Sequence, residues 1–142
     1  MILLDVNVLV YAHREDAPDH REYRAFLERQ LRSASPFGVS ELVLSGFLRV
    51  VTHPKIFQTP TSLDLALDFA AAVRSVSNCV IQAPGPRHWG LFTDLCTSLE
   101  AAGNVIPDAY HAALAIETGS EWITTDRAFA RFPQLRWRHP LA

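Results

Sequence analysis

The chain has 142 residues, of which 49% are hydrophobic and 20% charged, and its formal net charge is −2. This fits a single globular domain over residues 1–142 and excludes a disordered or low-complexity protein. No apolar run is long enough to cross a bilayer, the N-terminus lacks the basic start of a signal peptide, and the two cysteines show no metal-binding spacing, so we expect a cytoplasmic protein.

Strand-like apolar runs alternate with amphipathic stretches along the chain. The predicted strands are residues 2–4, 36–39, 79–81, 122–125 and 135–137. The predicted helices start near residue 8 and cover 23–34, 41–51, 63–76, 92–102 and a last stretch that ends at Gly119. We expect Ser40 to cap the third helix, Thr61 or Ser62 the fourth and Asn104 the last, and Gly103 to end the fifth.

Strands separated by helices predict a parallel sheet with crossover connections, and hence a three-layer α/β/α domain. In open sheets of this kind, ligands bind at the carboxyl ends of the strands. The helix over 63–76 carries apolar residues on two faces, which indicates that a partner covers one of them.

Four acidic residues, far apart in sequence, are predicted to meet at this edge of the sheet. Asp5 and Asp126 each follow a predicted strand, while Glu41 and Asp108 fall in the first turns of two helices. Acids are common in first helical turns because they oppose the helix dipole, and Asp126 could be an ordinary turn residue. Asp5 has no such explanation, because a carboxylate at the end of a buried strand is costly unless it is paired or binds a metal.

A cluster of like charges needs protons, basic partners or a cation. Oxygen ligands alone suit Mg²⁺ or Mn²⁺ better than zinc. A divalent ion held by carboxylates is what phosphodiester hydrolysis uses.

Four segments resemble those of the PIN domain, and more narrowly of the VapC-type toxins of bacterial toxin–antitoxin pairs. They are Leu-Asp-Val-Asn-Val-Leu at 4–9, Ser-Glu-Leu at 40–42, Gly-Asn-Val-Ile-Pro-Asp-Ala at 103–109 and Thr-Thr-Asp-Arg-Ala-Phe at 124–129. The resemblance covers essentially the whole chain. It implies an α/β/α PIN-like fold with a central parallel sheet, and Mg²⁺- or Mn²⁺-dependent cleavage of single-stranded or looped RNA.

The resemblance also implies the site residues and the partners. Asp5, Glu41, Asp108 and Asp126 match the family's catalytic acids, and Asn7, Asn104 and Thr125 match its supporting polar residues. We expect Asp5, Asp108 and Asp126 to ligate the metal, and Glu41 to act through water. Some relatives have a further acid after the fourth, but none follows Asp126 here, so the number of bound ions stays open. The implied partners are an RNA substrate, a VapB-type antitoxin that inhibits the toxin, and a second copy of the chain in a homodimer.

Basic residues near these acids are candidate RNA contacts. Arg49 lies on the same helix as Glu41, and Arg127 and Arg131 belong to a C-terminal stretch rich in arginine and aromatic residues. Surface ion pairs explain these arginines equally well.

Two other classes of protein compete with a nuclease. One is a catalytically inactive PIN-like domain that binds RNA or acts as a scaffold; the intact set of four acids argues against it. The other is a phosphatase or receiver domain, which also begins with a strand followed by Asp. The phosphatase needs an acid where Asn7 stands, and the receiver needs a well-placed lysine, whereas Lys55, the only lysine, lies in a predicted loop.

Overall fold

The computed structural model describes all 142 residues and contains a five-stranded, fully parallel sheet with the strand order β3-β2-β1-β4-β5. The strands are β1 (Ile2–Leu4), β2 (Phe37–Ser40), β3 (Cys79–Gln82), β4 (Glu121–Ile123) and β5 (Trp137–Arg138). The helices are α1 (Val6–His13), α2 (His20–Arg32), α3 (Glu41–Val51), α4 (Leu63–Ser75), α5 (His88–Ser98) and α6 (Val105–Thr118), and a 3₁₀ helix covers Arg127–Arg131.

The helices form two layers around the sheet. Helices α2 and α3 both pack against α1, α4 packs against α3, and α5 packs against α6. A single core of 29 buried hydrophobic residues joins the layers, with Trp122, Phe37 and Phe47 among its largest members. The predicted α/β/α architecture and parallel sheet are therefore confirmed. No helix in the structure has both the length and the apolar character needed to cross a membrane.

The order of the strands places a topological switch at the centre of the sheet. From β1 the chain moves outward through β2 to β3, and it then returns to the other side of β1 to form β4 and β5. The register pairs Leu4 of β1 with Ile123 of β4, so both strands end at the same level. Such a switch leaves a crevice at the carboxyl ends of the two strands, where open α/β sheets bind ligands.

Several helix ends follow the predicted capping residues. The Ser40 hydroxyl accepts a hydrogen bond from the Val43 amide at 3.0 Å, and Ser62, rather than Thr61, caps α4. Gly119 ends α6 with a left-handed backbone, at φ 65°.

Two expectations about helix ends are wrong. Helix α5 ends at Ser98, before the expected Gly103, because Glu100 adopts the left-handed conformation (φ 48°) and the Ala101 amide donates to the Cys96 carbonyl. Asn104 precedes α6, but its side chain makes no capping hydrogen bond, because its backbone is already helical (φ −66°, ψ −16°) and a capping side chain needs extended backbone.

Candidate active site

A cavity of about 500 Å³ lies at the carboxyl ends of β1 and β4. Three of the four predicted acids, Asp5, Asp108 and Asp126, line it, together with Asn7 and Arg49. Asp5 directly follows β1, Asp126 precedes the 3₁₀ helix, and Asp108 lies in the first turn of α6. Three elements that are distant in sequence thus bring acidic side chains to one crevice.

Asp5 is the most constrained of these acids. It is 6% exposed, and its Oδ1 accepts the Val6 amide at 2.6 Å, which caps α1. Its Oδ2 accepts the Thr124 hydroxyl at 2.7 Å and the Asn7 amide nitrogen at 3.1 Å. No basic side chain pairs with it. Asp5 is therefore a buried carboxylate that is oriented by hydrogen bonds but not neutralised.

The surroundings of Asp5 and Asp108 raise the pKa of both carboxyl groups and so disfavour their charged forms. The pKa of Asp5 is raised from 3.8 to about 6. Burial is the main cause, the hydrogen bonds from Thr124 and Val6 oppose it, and the charges of Asp108 and Asp126 add to it. Burial also raises the pKa of Asp108, although its ion pair with Arg131 opposes the effect. The negative charges of Asp108 and Asp126 thus add to the cost of ionising Asp5 in the cavity that all three acids line.

Asp108 and Asp126 each have a partner in this structure. The Arg131 guanidinium donates to Asp108 Oδ2 at 2.5 Å, and Asp126 Oδ1 accepts the Ala128 amide at 2.9 Å. In this conformation, no three His, Cys, Asp or Glu side chains lie close enough together to enclose an ion. The crevice thus brings the three acids to one cavity, where their carboxylates form hydrogen bonds or an ion pair with other groups of the protein.

Glu41, the fourth predicted acid, does not line the cavity. It is the first residue of α3, but its side chain is 71% exposed and accepts a hydrogen bond from Arg74 at 3.2 Å. The start of α3 places the Glu41 backbone near the carboxyl end of β2. The exposed side chain lies outside the cavity and pairs with the guanidinium of Arg74. The expected convergence of four carboxylates is therefore a convergence of three.

The hydroxyl group at the centre of the site belongs to Thr124, not to the predicted Thr125. Thr124 is fully buried, and besides donating to Asp5 its hydroxyl lies 3.2 Å from the Asn7 amide nitrogen and 3.0 Å from the Asp126 backbone nitrogen, both of which donate to it. Thr125 contributes only its backbone amide, which donates to Asn7 Oδ1 at 3.1 Å. Side chains alternate in direction along a strand, so of two adjacent threonines only one can face Asp5.

The three arginines predicted to contact RNA differ in position. Arg49 lines the cavity and takes part in no ion pair. Arg131 is bound to Asp108, and its Nε is buried without a hydrogen-bond partner. Arg127 is exposed at the start of the 3₁₀ helix and does not line the cavity.

The sequence comparison decides the family. The family model described as the PIN domain matches residues 2–135. The chain belongs to the PIN domain family.

Similar proteins place this PIN domain among the VapC proteins. It is 46% identical to Ribonuclease VapC43 of Mycobacterium tuberculosis over 141 residues, which is 99% of this chain and 96% of that protein. It is 41% identical to Ribonuclease VapC25 of the same organism over 140 residues, with 99% of each chain covered. The solved structure of VapBC2 from Rickettsia felis, bound to a DNA fragment from its promoter, superposes on the PIN domain with a TM-score of 0.69 at 24% identity, covering 98% of both chains. That likeness supports the same fold.

The PIN domain cavity also contains residues that the sequence analysis did not select. Its lining also includes the aromatic residues Tyr11 and Phe57 and His111 of α6. The only sequence signal for His111 is its spacing of three residues from Asp108, which puts both on one helix face. Tyr11 and Phe57 have no such signal. Phe57 lies in a loop, with the Arg14 guanidinium 4.1 Å from its ring centre.

Proposed function

We propose that this protein is a metal-dependent endoribonuclease of the VapC type, which hydrolyses phosphodiester bonds of RNA. The observation that carries the proposal is Asp5, a buried carboxylate without a basic partner, beside two further carboxylates in a crevice at the topological switch. Relatives at 46% and 41% identity over almost the whole chain are named ribonucleases, which supports the same reaction here.

The residues present fit a Mg²⁺ or Mn²⁺ ion. The available donors are carboxylate oxygens of Asp5, Asp108 and Asp126, and hard divalent cations prefer oxygen ligands. Asp5 is buried, which raises its pKa, and no basic side chain pairs with it, so a bound cation would stabilise its charged form. A cation bound there would acidify a water molecule and offset charge on the phosphate.

The chain's own residues would orient the acids and bind the substrate. Thr124 and Asn7 hold the Asp5 carboxylate in one orientation by hydrogen bonds to Oδ2. Arg49 presents an unpaired guanidinium to the same cavity, where it would bind an RNA phosphate. Arg131 neutralises Asp108, so this arginine would reach RNA only after the pair opens. In-line attack by water would leave a 5′-phosphate and a 3′-hydroxyl.

We also propose a VapB-type antitoxin as the inhibiting partner and a homodimer as the assembly. Helix α4 exposes leucines on two faces: Leu63 and Leu67, one turn apart, are 59% and 45% exposed, and Leu65 on another face is 61% exposed. Exposed leucines grouped on one helix are typical of a surface that a partner covers. Light scattering of the protein alone and with a co-expressed antitoxin measures the molar mass of both assemblies. A monomer that does not bind the antitoxin would contradict both proposals.

A cleavage assay on single-stranded RNA tests the proposed reaction. We expect the parent protein to cut RNA in Mg²⁺ or Mn²⁺ and to stop in EDTA. Asp5→Asn should lower the rate by at least about a thousandfold, since oriented charge at a reacting centre is worth several kcal/mol. Asp94→Asn is the matched control, because Asp94 is exposed on α5 and outside the cavity.

The outcomes separate the proposed enzyme from its alternative. RNA binding without cleavage in any divalent cation would indicate the catalytically inactive, RNA-binding or scaffolding PIN-like domain. Cleavage at the parent's rate by Asp5→Asn would show that the cavity is not the active site.

A further inference from the structure

His111 lines the cavity together with the three acids but has no role in the proposed metal site. It lies on α6, one turn after Asp108, and lines the same cavity as Asp5 and Asp126. An imidazole at this position faces whatever binds against the acids.

The ring of His111 is held in a fixed plane. It stacks on the indole of Trp122, with ring centres 5.2 Å apart and an interplanar angle of 20°. Trp122 is fully buried in β4, so the surface under the imidazole is rigid. The stack limits rotation of the ring and fixes the directions of its two nitrogens.

The two nitrogens have different surroundings. His111 Nδ1 is buried and has no hydrogen-bond partner. Nε2 also makes no hydrogen bond within the protein, but it is accessible from outside. A buried N–H without an acceptor is rarer and more costly than a buried lone pair. The proton is therefore expected on Nε2, the nitrogen left free for the cavity.

The imidazole is also uncharged near neutral pH. The pKa of His111 is lowered from 6.5 to about 4, mainly by burial and to a smaller extent by the charge of His88. A neutral ring can lie beside acids without forming an ion pair, and it keeps its Nε2–H as a donor.

We propose that His111 is a substrate-binding residue whose neutral imidazole donates its Nε2–H to a phosphate oxygen of the RNA strand lying in the cavity. This inference rests on the proposed ribonuclease function. Among substrate groups, a phosphate oxygen is the strongest acceptor for such a donor, and a cation held by the acids of this cavity would place the phosphate of the cleaved bond there.

Two variants separate hydrogen bonding from packing. His111→Phe keeps an aromatic ring on Trp122 and removes both nitrogens, while His111→Gln supplies an N–H donor near the position of Nε2. We expect His111→Phe to lower kcat/KM for a synthetic single-stranded RNA by about 10- to 100-fold, the usual loss for a hydrogen bond to a charged group. His111→Gln should recover most of this loss. The differences in kcat/KM between the variants should not follow differences in their melting temperatures.

A measurement on the ring itself does not depend on cleavage. In ¹⁵N-labelled protein without divalent cation, we expect the His111 nitrogen shifts to show the Nε2–H tautomer, and the Nε2 resonance to move when the RNA is added. An Nδ1–H tautomer, or an Nε2 signal unchanged by bound RNA, would overturn the proposal even if His111→Phe failed to fold.

The kinetic outcomes distinguish this inference from the proposed function. A parent protein that cleaves no RNA contradicts the proposed function. A parent that cleaves, with His111→Phe equally active or with His111→Gln as impaired as His111→Phe, contradicts the role of His111 alone.

Discussion

The hydroxyl of Thr124 connects three residues of the crevice. It donates to Asp5 and accepts hydrogen bonds from the Asn7 side chain and the Asp126 backbone. Besides the backbone pairing of β1 with β4, this one atom links the side chains that follow β1 to the segment that follows β4. The orientation of Asp5 and the path of the chain into Asp126 are therefore coupled.

Replacing Thr124 tests this coupling. Thr124→Val keeps the side-chain shape but removes one of the two hydrogen bonds to Asp5 Oδ2 and leaves the Asp126 amide without its side-chain partner. We expect the free energy of unfolding to fall by about 1–3 kcal/mol, as for other buried polar groups that lose a hydrogen bond. Urea denaturation of the metal-free protein measures this.

Thr125→Val is the matched control for Thr124→Val. The Thr125 side chain makes no hydrogen bond in the structure, so its replacement should change stability by less than about 0.5 kcal/mol. Equal losses of unfolding free energy in the two variants would show that the hydrogen bonds of the Thr124 hydroxyl do not stabilise the fold.

The pKa of Asp5 links stability to pH. The folded protein holds the Asp5 proton up to about pH 6, whereas the unfolded chain releases it near 3.8, so Asp5 favours folding at low pH and this contribution disappears as the pH rises through about 6. Above that range the buried charge destabilises the fold. Asp5→Asn should therefore gain stability over the parent between pH 4 and pH 7, by on the order of 3 kcal/mol.

The difference between the two proteins, measured by denaturant unfolding at both pH values, isolates Asp5. Hydrogen bonds that Asn cannot reproduce are lost at both pH values and cancel in that difference. Addition of Mg²⁺ at pH 7 should stabilise the parent more than Asp5→Asn, because the ligand binds only the folded state. A difference that does not vary with pH would show that Asp5 titrates normally.

At the scale of the elements, Gly46 sets how closely α3 approaches α1. A Cβ added at Gly46 would lie 2.9 Å from Val6 Cγ2, and Val6 is a stiff, β-branched residue beside Asp5. Gly46 also lines the cavity. The absence of a side chain there lets two helices meet next to the acids.

Gly46→Ala should destabilise the protein by about 1 kcal/mol or more, because overpacking outweighs the gain in helix propensity. Gly90→Ala in α5 is the control, since a Cβ there meets nothing within 4 Å and should stabilise the helix by up to about 1 kcal/mol. Thermal unfolding measures both. A stabilised Gly46→Ala would mean that α1 and α3 separate freely.

The sequence predicted the elements that carry the site because their signals are local. The apolar run before Asp5 and the capping residue Ser40 determine structure within a few residues of themselves. The end of α5 was missed because Glu100 takes a conformation that non-glycine residues rarely adopt. The shift of the last strand to Trp137–Arg138 depends on pairing with β4, which is a long-range contact.

Side-chain direction was harder to predict than backbone position. Glu41 was placed correctly at the start of α3, yet its contact with Arg74 comes from another helix. Likewise, choosing between Thr124 and Thr125 needs the register of β4 against β1. Motif spacing identified the acids, whereas tertiary contacts determine which of them face the cavity.

At the scale of the whole molecule, the strand order gives the site its location. Parallel strands on either side of a switch bring Asp5 and Asp126 to one crevice, and α6 adds Asp108 from the second helical layer. The lining of this crevice also includes the aromatic residues Tyr11 and Phe57. A cation bound by the acids would offset their negative charge, and a nucleotide base could pack against these aromatic side chains.

Anomalous scattering from crystals soaked in Mn²⁺ near pH 7.5 tests the central claim, that these three acids together hold a divalent cation, most directly. The account predicts an anomalous peak in the cavity, within coordination distance of Asp5 and at least one of Asp108 and Asp126, and its loss in Asp5→Asn crystals. A Mn²⁺ peak found only elsewhere on the protein, or an unchanged cavity peak in Asp5→Asn, would contradict it.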